Sequence, residues 1–189
     1  MIKQQLRKIY KQQRQSISSK EKLKLDDLLL IQFQRLSFEN ISTLLTYWPM
    51  PHQSEPNTHL FSSYLRYIIP GLNIAYPVCD FTSIEISAVL IDEETVYQHN
   101  AFGIAEPKEG IILPPEEIDL IFVPLLVCDK QGYRVGFGKG FYDRYLPKCR
   151  DNVLKTGFSY FAPIDKIDDT NPFDVPLDIC ITPEEVYEF

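Results

Sequence analysis

Apolar residues recur at helical spacing in three segments near the start of the chain. The pattern over residues 2–16, with lysines and arginines on the remaining faces, predicts an amphipathic and basic first helix. Ser18 and Glu21 have the spacing of a capping box, which predicts that a second helix begins there. A third helix is predicted over residues 59–69, with Thr58 as its N-cap and a Pro-Gly pair after its end.

Shorter apolar runs predict β-strands at residues 42–48, 73–76, 84–91, 120–128, 153–160 and 178–182. The run over 120–128 is the most apolar and predicts a central strand, in which Pro124 implies a bulge or a missing ladder hydrogen bond. Prolines interrupt residues 99–117, so this segment is predicted to be irregular. The alternation of helices and strands predicts the α/β class. We expect a three-layer α/β/α fold around a mostly parallel or mixed sheet, as a single domain over residues 1–189.

Composition narrows the range of partners. The chain has 189 residues, a formal net charge of −7 and no long apolar stretch, so we expect neither nucleic-acid nor membrane binding. The N-terminal residues lack the apolar core of a signal peptide. The four cysteines form no Cys-x-x-Cys pair, which argues against a zinc site. We therefore expect a cytoplasmic protein whose cysteines, Cys128 and Cys180 among them, are reduced thiols. We also expect a monomer.

The densest group of chemically distinctive residues lies in residues 129–145. Gly136, Gly138 and Gly140 alternate with other residues, and cations and a carboxylate stand beside them. Backbone N–H groups of such a loop can surround an anion, and a carboxylate can hold a hard cation such as Mg²⁺. A strand, a glycine loop and a helix in this order place the loop at the carboxyl edge of a sheet. The segment therefore predicts a site for a nucleoside triphosphate and its metal.

Two common phosphate-binding motifs do not fit this loop. A Walker P-loop requires Ser or Thr after its lysine, whereas Gly140 follows Lys139. In a dinucleotide fingerprint starting at Gly136, the third glycine would stand at position 141, which is Phe141.

The longer string Asp129-x-x-Gly132-x-Arg134-x-Gly136-x-Gly138-Lys139-Gly140-Phe141-Tyr142-Asp143-Arg144 resembles the signature of the 5-formyltetrahydrofolate cyclo-ligase family, also called 5,10-methenyltetrahydrofolate synthetases. Further segments are similar to other motifs of that family and occur in the same order: residues 3–7, 49–58, 102–107, 119–124 and 174–182.

This resemblance implies an activity in folate one-carbon metabolism. Members of the family close 5-formyltetrahydrofolate to 5,10-methenyltetrahydrofolate while they split ATP to ADP and phosphate, with Mg²⁺. Phosphorylation of the formyl oxygen would activate the carbon for attack by N10 of the same folate. Such chemistry requires alignment and charge neutralisation rather than a covalent nucleophile.

The resemblance also implies roles for residues of this chain. Catalysis would rest on Lys139 and Arg134. ATP would be bound by Lys3, Arg7, Arg134, Gly136, Gly138, Lys139, Gly140, Phe141 and Tyr142. The folate would contact Met50, Glu55, Phe102, Phe137 and Phe141. Mg²⁺ would be held by Asp143 and Asp174.

Plainer interpretations of the same residues stay open. Lys3 and Arg7 could form a solvated helix face, and Asp143 could simply pair with Arg144. Asp174 could close a turn. At the level of function, the alternatives are a binding module that does not catalyse and a kinase that phosphorylates a different small molecule.

Overall fold

A computed structural model describes all of residues 1–189. The helices are α1 (Lys3–Gln15), α2 (Ser19–Phe33), α3 (Thr58–Ile68) and α4 (Phe141–Tyr145). The strands are β1 (Thr43–Leu45), β2 (Asn73–Asp80), β3 (Glu85–Leu90), β4 (Tyr97–His99), β5 (Ala105–Pro107), β6 (Ile112–Leu113), β7 (Leu120–Phe122), β8 (Val127–Cys128), β9 (Arg134–Val135), β10 (Leu154–Phe158), β11 (Ile179–Ile181) and β12 (Val186–Glu188). No helix is both long enough and apolar enough to span a lipid bilayer.

Eight of the strands form one mixed sheet in the order β12-β11-β10-β7-β1-β2-β3-β6. Its five central strands, from β11 to β2, are parallel to one another. Strands β3, β6 and β12 pair antiparallel to their neighbours and lie toward the two edges. The predicted mixed α/β sheet is thereby confirmed. Parallel central strands are buried on both faces, which explains the continuous apolar sequence at residues 120–122, where β7 lies.

Helices α2 and α3 cover one face of the sheet. Phe33 of α2 and Phe61 of α3 are fully buried against Phe122 and Phe158 of the central strands. The rings of Phe61 and Phe158 stack with centroids 3.9 Å apart. Burying each such side chain contributes roughly 1.5–3 kcal/mol, so these aromatic rings carry much of the packing between the helices and the sheet.

A thinner layer covers the opposite face. Tyr145 and Leu146, at the end of the five-residue helix α4, pack against Ile121 and Val123 of the central region. Helix α1 packs beside this layer, where its Leu6 joins a small core with the β8–β9 hairpin. The three-layer arrangement is confirmed, although its second helical layer consists of one short helix and 3-10 turns.

The helix starts agree with the sequence at two of three places. Helix α1 begins one residue after the predicted start, and the Ser18 hydroxyl caps α2 by accepting a hydrogen bond from the Glu21 N–H at 3.2 Å. The predicted cap of α3 is wrong, because the capping residue is Asn57, whose side chain accepts from the backbone of the third helix. Thr58 instead lies in the first turn, and its buried hydroxyl donates to the carbonyl of Tyr47 at 2.6 Å.

Strand β2 continues beyond its predicted end at residue 76 and runs through Pro77 to Asp80. The carbonyl of Ala75 accepts from the backbone beyond β1, so odd-numbered residues of β2 face that neighbour. Strand β1 ends at Leu45. The missing N–H of Pro77 therefore faces a position where no strand requires it, and the chain stays extended.

The predicted central strand over residues 120–128 is interrupted. Strand β7 ends at Phe122, and the chain then leaves the main sheet so that β8 pairs with β9. Pro124 lies between the two parts, in agreement with the interruption that the sequence predicts there. The glycine loop consequently follows the β8–β9 hairpin rather than the central strand itself.

The segment 99–117, predicted to be irregular, contains β5 and β6, and the sequence pattern does not predict β12. Each of these strands has only two or three residues. Such short strands form because they pair with a neighbouring strand. Two or three residues are too few to show a periodic pattern in the sequence.

Candidate active site

A cleft of about 530 Å³ opens at the carboxyl edge of the central strands. Trp48 follows β1, Phe81 follows β2 and Pro124 follows β7, and all three line it. This is the edge at which open α/β sheets bind ligands. Every residue that the sequence predicts for the site lines this same cleft: Lys3, Arg7, Met50, Glu55, Phe102, Arg134, Gly136, Phe137, Gly138, Lys139, Gly140, Phe141, Tyr142, Asp143 and Asp174.

The glycine loop and helix α1 form what we call the cationic end of the cleft, with Lys3, Arg7, Arg134 and Lys139 as its positive charges. Gly138 has a positive φ of 94°, which favours glycine. The Arg7 guanidinium donates to the carbonyl of Gly136 at 2.9 Å. A Cβ atom added to Gly138 would lie 3.1 Å from Cζ of Arg7, which is tighter than an ordinary van der Waals contact, so the guanidinium would have to shift.

Lys139 is the most available cation of this end. Its side chain is exposed, and its ammonium group forms neither a hydrogen bond nor an ion pair with the protein. Helix α4, which follows the loop, has only five residues, so the expected contribution of a helix dipole to the anion site is small. The cationic character therefore comes from side chains.

Arg134 differs from Lys139 in being buried. Its guanidinium donates to the carbonyl of Val175 and to Asp143, the latter at 2.9 Å. Burial lowers the pKa of Arg134, while the nearby carboxylates of Asp143 and Asp174 oppose that shift. The partner of Asp143 is thus Arg134. The alternative pairing with Arg144 is wrong, because Arg144 donates to the carbonyl of Ser83.

Helix α1 is anchored at its start by acidic residues near the C-terminus. The ammonium group of Lys3 pairs with Asp174, and its backbone N–H donates to Asp169 at 2.7 Å. The N-terminal amine pairs with Asp168. Because Lys3 is only partly exposed and paired, it does not belong to a solvated helix face, and the plain interpretation of Lys3 is wrong.

The first part of the glycine motif has a structural role. Asp129 is fully buried, and its carboxylate accepts backbone hydrogen bonds from Gln131, Tyr133 and Ile167 at 3.0 Å each. Gly132 has a φ of 82°, and a Cβ atom there would lie 2.8 Å from the carbonyl of Leu177. These residues shape the β8–β9 turn and so present Arg134 to the cleft.

The oxygens of Asp143 and Asp174 fit a magnesium ion in part. One carboxylate oxygen of each residue is occupied by cations or backbone N–H groups, whereas the other makes no hydrogen bond to protein. No group of three or more Asp, Glu, His or Cys residues is arranged to hold a metal. Mg²⁺ is commonly held by one or two carboxylates together with substrate phosphates, and this donor set is compatible with that mode of binding.

The rest of the cleft, which we call the aromatic end, is lined by Phe81, Phe102 and Phe141 and contains a buried carboxylate. Glu55 is 2% exposed, and one of its oxygens accepts from the N–H of Met50 at 2.7 Å. Ser54, with a left-handed backbone, turns the chain so that Glu55 reaches back to Met50. Burial raises the pKa of Glu55 to about 7, opposed by the Met50 hydrogen bond and by the charges of Arg14 and Lys22. The other carboxylate oxygen is free for a ligand.

Aromatic rings from three separate segments form one wall of this end. The ring of Phe81 lies 4.1 Å from that of Phe102 and 5.1 Å from that of Phe141, measured between centroids. Phe102 is half exposed, so it is not a core residue. Phe137 lines the cleft near the cationic end, where the ammonium of Lys11 lies 5.3 Å from its ring centre. Tyr142 lies deeper, with a buried hydroxyl that has no protein partner.

Several lining residues are not predicted from the sequence. Asn100 organises the loop that carries Phe102, because its side chain accepts from the N–H groups of Phe102 and Ile104 and donates to Glu106. Trp48 could have been found as the aromatic residue at the end of the strand predicted over residues 42–48. Phe81 could not, because it lies five residues beyond residue 76, where the next predicted strand ends. Nothing local to Asn100 or Glu106 marks them as site residues, since their positions depend on the β4–β5 hairpin.

Sequence comparisons identify the family of this chain. Residues 1–183 match the profile described as the 5-formyltetrahydrofolate cyclo-ligase family. A 5-formyltetrahydrofolate cyclo-ligase of Mycoplasma pneumoniae is 33% identical over 97% of this chain and 100% of its own length. The Haemophilus influenzae cyclo-ligase is 39% identical, over 44% of this chain and 46% of its own.

Solved structures of similar shape carry the same family name. The 5,10-methenyltetrahydrofolate synthetase of Aquifex aeolicus superposes with a TM-score of 0.82 and 30% identity, covering 100% of this chain and 93% of its own. The synthetase of Mycoplasma pneumoniae gives a TM-score of 0.74 and 30% identity, with coverages of 96% and 98%. The chain therefore belongs to the 5-formyltetrahydrofolate cyclo-ligase family and is an enzyme of the ligase class.

Proposed function

We propose that this protein closes 5-formyltetrahydrofolate to 5,10-methenyltetrahydrofolate with ATP and Mg²⁺, and releases ADP and phosphate. The observation that carries the proposal is the continuity of one cleft, in which a cationic, glycine-rich end meets an aromatic end with a buried carboxylate. A triphosphate suits the first end and a flat, N–H-bearing ring system suits the second. A reaction between the two substrates requires that both ends share one space.

At the cationic end, Lys3, Arg7 and Lys139 would contact the phosphates of ATP. Arg7 is already held by the carbonyl of Gly136, so its guanidinium is positioned before the nucleotide arrives. Lys139 has no partner in the protein, so its ammonium group could stay in contact with the phosphoryl group during the transfer. Arg134, which is buried and bonded to Asp143, would act mainly by holding the floor of this end in place.

At the aromatic end, Glu55 would accept hydrogen bonds from the N–H donors of the pterin ring. A carboxylate with one free oxygen in a dry environment is a selective acceptor, because the charge-assisted bond is strong and has little competition from water. Met50 would pack beside the ring, and Phe102 and Phe141 would bound the rest of the folate. Phe137, a residue of the glycine loop, also lines the cleft and would contact the folate.

The proposed reaction has two bond exchanges. The formyl oxygen attacks the γ-phosphorus of ATP, and the bond between that phosphorus and ADP breaks. N10 then attacks the activated carbon, its proton passes to solvent, and the carbon–oxygen bond breaks to release phosphate. Lys139 would neutralise negative charge on the phosphoryl group during the first exchange. The alignment of both substrates in one cleft would supply the remaining rate acceleration.

Asp143 and Asp174 would hold the Mg²⁺ ion through their free carboxylate oxygens. The ion, when bound, would supply charge neutralisation at the β- and γ-phosphates. The ion pairs with Arg134 and Lys3 would keep the two aspartates in place.

The proposal is tested with purified protein, 5-formyltetrahydrofolate, ATP and Mg²⁺, by following the methenyl chromophore and free phosphate together. We expect both to rise in equal amounts and to require all three additions. A phosphorylated product that persists in solution would indicate a kinase instead. Folate binding without either product would indicate a binding module.

The same proposal treats the protein as a cytoplasmic monomer whose partners are small molecules rather than nucleic acids or membranes. Elution from a sizing column near 22 kDa, the mass of one chain, would support the monomer. Elution at twice that mass would contradict it.

A further inference from the structure

Arg14 is a buried cation that the proposed roles leave without an explanation. It lies near the end of α1 and is 1% exposed. One terminal nitrogen donates to the carbonyl of Leu125, whereas its Nε and its other terminal nitrogen have no hydrogen-bond partner in the protein. A buried guanidinium with unused donors is costly, so a fold that keeps one needs a compensating charge or ligand nearby.

The helix itself relates Arg14 to the cleft. Lys3, Arg7 and Arg14 are separated by four and seven residues, which places them within about 40° of one another around a helix with 3.6 residues per turn. Lys3 and Arg7 line the cationic end. Arg14 therefore lies on the same face of α1, and α1 also packs against the turn at Pro51–Gln53, which lies just before Glu55 in the chain.

Glu55 follows this turn by two residues. It is as buried as Arg14, and one of its oxygens makes no hydrogen bond to protein. The charged or titratable groups that act on it come from four elements: Arg14 on α1, Lys22 on α2, Tyr47 after β1 and Tyr142 on α4. The tyrosines are neutral, and the ammonium of Lys22 already pairs with Asp26 at 2.7 Å. Arg14 is the cation of this set with unused donors.

We propose that Arg14 is a positioning residue for the aromatic end: its guanidinium, fixed by the carbonyl of Leu125, keeps the Glu55 carboxylate charged and available to the folate. This inference rests on the proposed function, in which Glu55 accepts hydrogen bonds from the pterin. Protonated Glu55 would carry a hydrogen on one oxygen and would lose charge, so its hold on N–H donors would weaken. The charge of Arg14 lowers the pKa of Glu55 in the direction that the proposal requires.

The test is the pH dependence of 5-formyltetrahydrofolate binding without ATP, measured by titration calorimetry between pH 6 and pH 9. In the wild type, affinity should fall as the pH drops through the pKa of Glu55. In Arg14→Met, the midpoint should move upward by about one pH unit, with about tenfold weaker binding below the midpoint. Arg14→Lys retains the charge and should keep the wild-type midpoint.

Two further variants separate this role from a general loss of packing. Arg14→Gln is a second neutral replacement with different packing and should give the same upward shift as Arg14→Met. Arg150→Met removes a partly exposed arginine that pairs with Asp119 and does not line the cleft, so its binding profile should match the wild type. Thermal unfolding of each variant reports whether it is folded.

The possible outcomes are distinguishable. An unchanged midpoint in a folded neutral variant, either Arg14→Met or Arg14→Gln, would overturn the role of Arg14. An upward shift in Arg14→Lys equal to that of the neutral variants would overturn the charge argument as well. If the wild type bound no 5-formyltetrahydrofolate at any pH, the proposed function itself would be wrong.

Discussion

At the scale of single residues, Lys139 is the side chain most directly tied to the proposed chemistry. It stands in the glycine loop, is exposed to the cleft and has no protein partner. Removing it should therefore cost little stability and no folate contact. Its loss should instead affect charge neutralisation at the migrating phosphoryl group.

We expect Lys139→Ala to lower kcat by on the order of 10²–10³-fold while the dissociation constant of 5-formyltetrahydrofolate stays within a factor of two or so. Steady-state kinetics and calorimetry on the same preparation provide the two numbers. Lys166→Ala removes another exposed lysine that does not line the cleft and should leave both unchanged. Collapse of folate binding with turnover preserved would show that the role proposed for Lys139 is wrong.

Sequence and structure agree unevenly at this scale. The motif residues of the glycine loop could be found because their types are unusual together and their chemistry is shared. Arg14 could not, because in the sequence it is one more cation on a basic helix, and only packing against Leu125 shows that it is buried. Asn100 could not be found for a similar reason, since its amide acts on a loop that tertiary pairing creates.

At the scale of elements, α1 and the glycine loop depend on each other. Arg7 reaches the loop through the carbonyl of Gly136 and fills the space beside Gly138. A side chain at position 138 would meet both a left-handed backbone and the guanidinium. A substitution in the glycine loop should therefore also displace the Arg7 side chain of α1.

Gly138→Ala should raise the KM for ATP at least about tenfold, because the Arg7 guanidinium must move away from the loop, and should cost about 1–2 kcal/mol of stability. Gly71→Ala is the matched control. Gly71 also has a left-handed backbone, with a φ of 77°, but a Cβ atom added there would have no neighbouring atom within 4 Å. The control should lose similar stability and keep its KM. Equal KM values for the two variants would show that Arg7 does not contribute to ATP binding.

The longer elements could be predicted and the shortest could not. Periodic or continuous apolar patterns mark the longer elements, which are α1, α2, α3 and the parallel strands. These patterns can be recognised in the sequence even where single positions depart from them. Strands β5, β6 and β12 have two or three residues and exist because a partner strand lies beside them. The sequence does not separate Asn57 from Thr58 as the N-cap of α3, because both residue types suit a cap, and burial of the threonine hydroxyl decides between them.

At the scale of the whole molecule, Glu55 links the site to stability. Its pKa in the folded protein is raised to about 7 from an ordinary value of 4.5. The folded state therefore retains a proton that the unfolded chain releases, and this contribution to stability is complete below about pH 4.5 and is lost as the pH rises through 7. The full difference corresponds to about 3 kcal/mol.

Glu55→Gln removes that titration while an amide oxygen can still accept from Met50. We expect the variant to gain stability relative to the wild type progressively from pH 5 to pH 8, measured by urea unfolding at each pH. Parallel stability curves for the two proteins would show that Glu55 is not the titrating group. Because the variant lacks the charge that we propose for folate binding, greater stability at pH 8 should accompany weaker folate binding.

If ATP phosphorylates the formyl oxygen of the folate within this cleft, that oxygen leaves with the phosphate. The most direct measurement uses 5-formyltetrahydrofolate with ¹⁸O in the formyl group and mass spectrometry of the phosphate that the enzyme releases. We expect one ¹⁸O atom in each phosphate formed together with methenyl product. Phosphate without the label would mean that water, and not the formyl oxygen, receives the phosphoryl group, and the proposed reaction would be wrong.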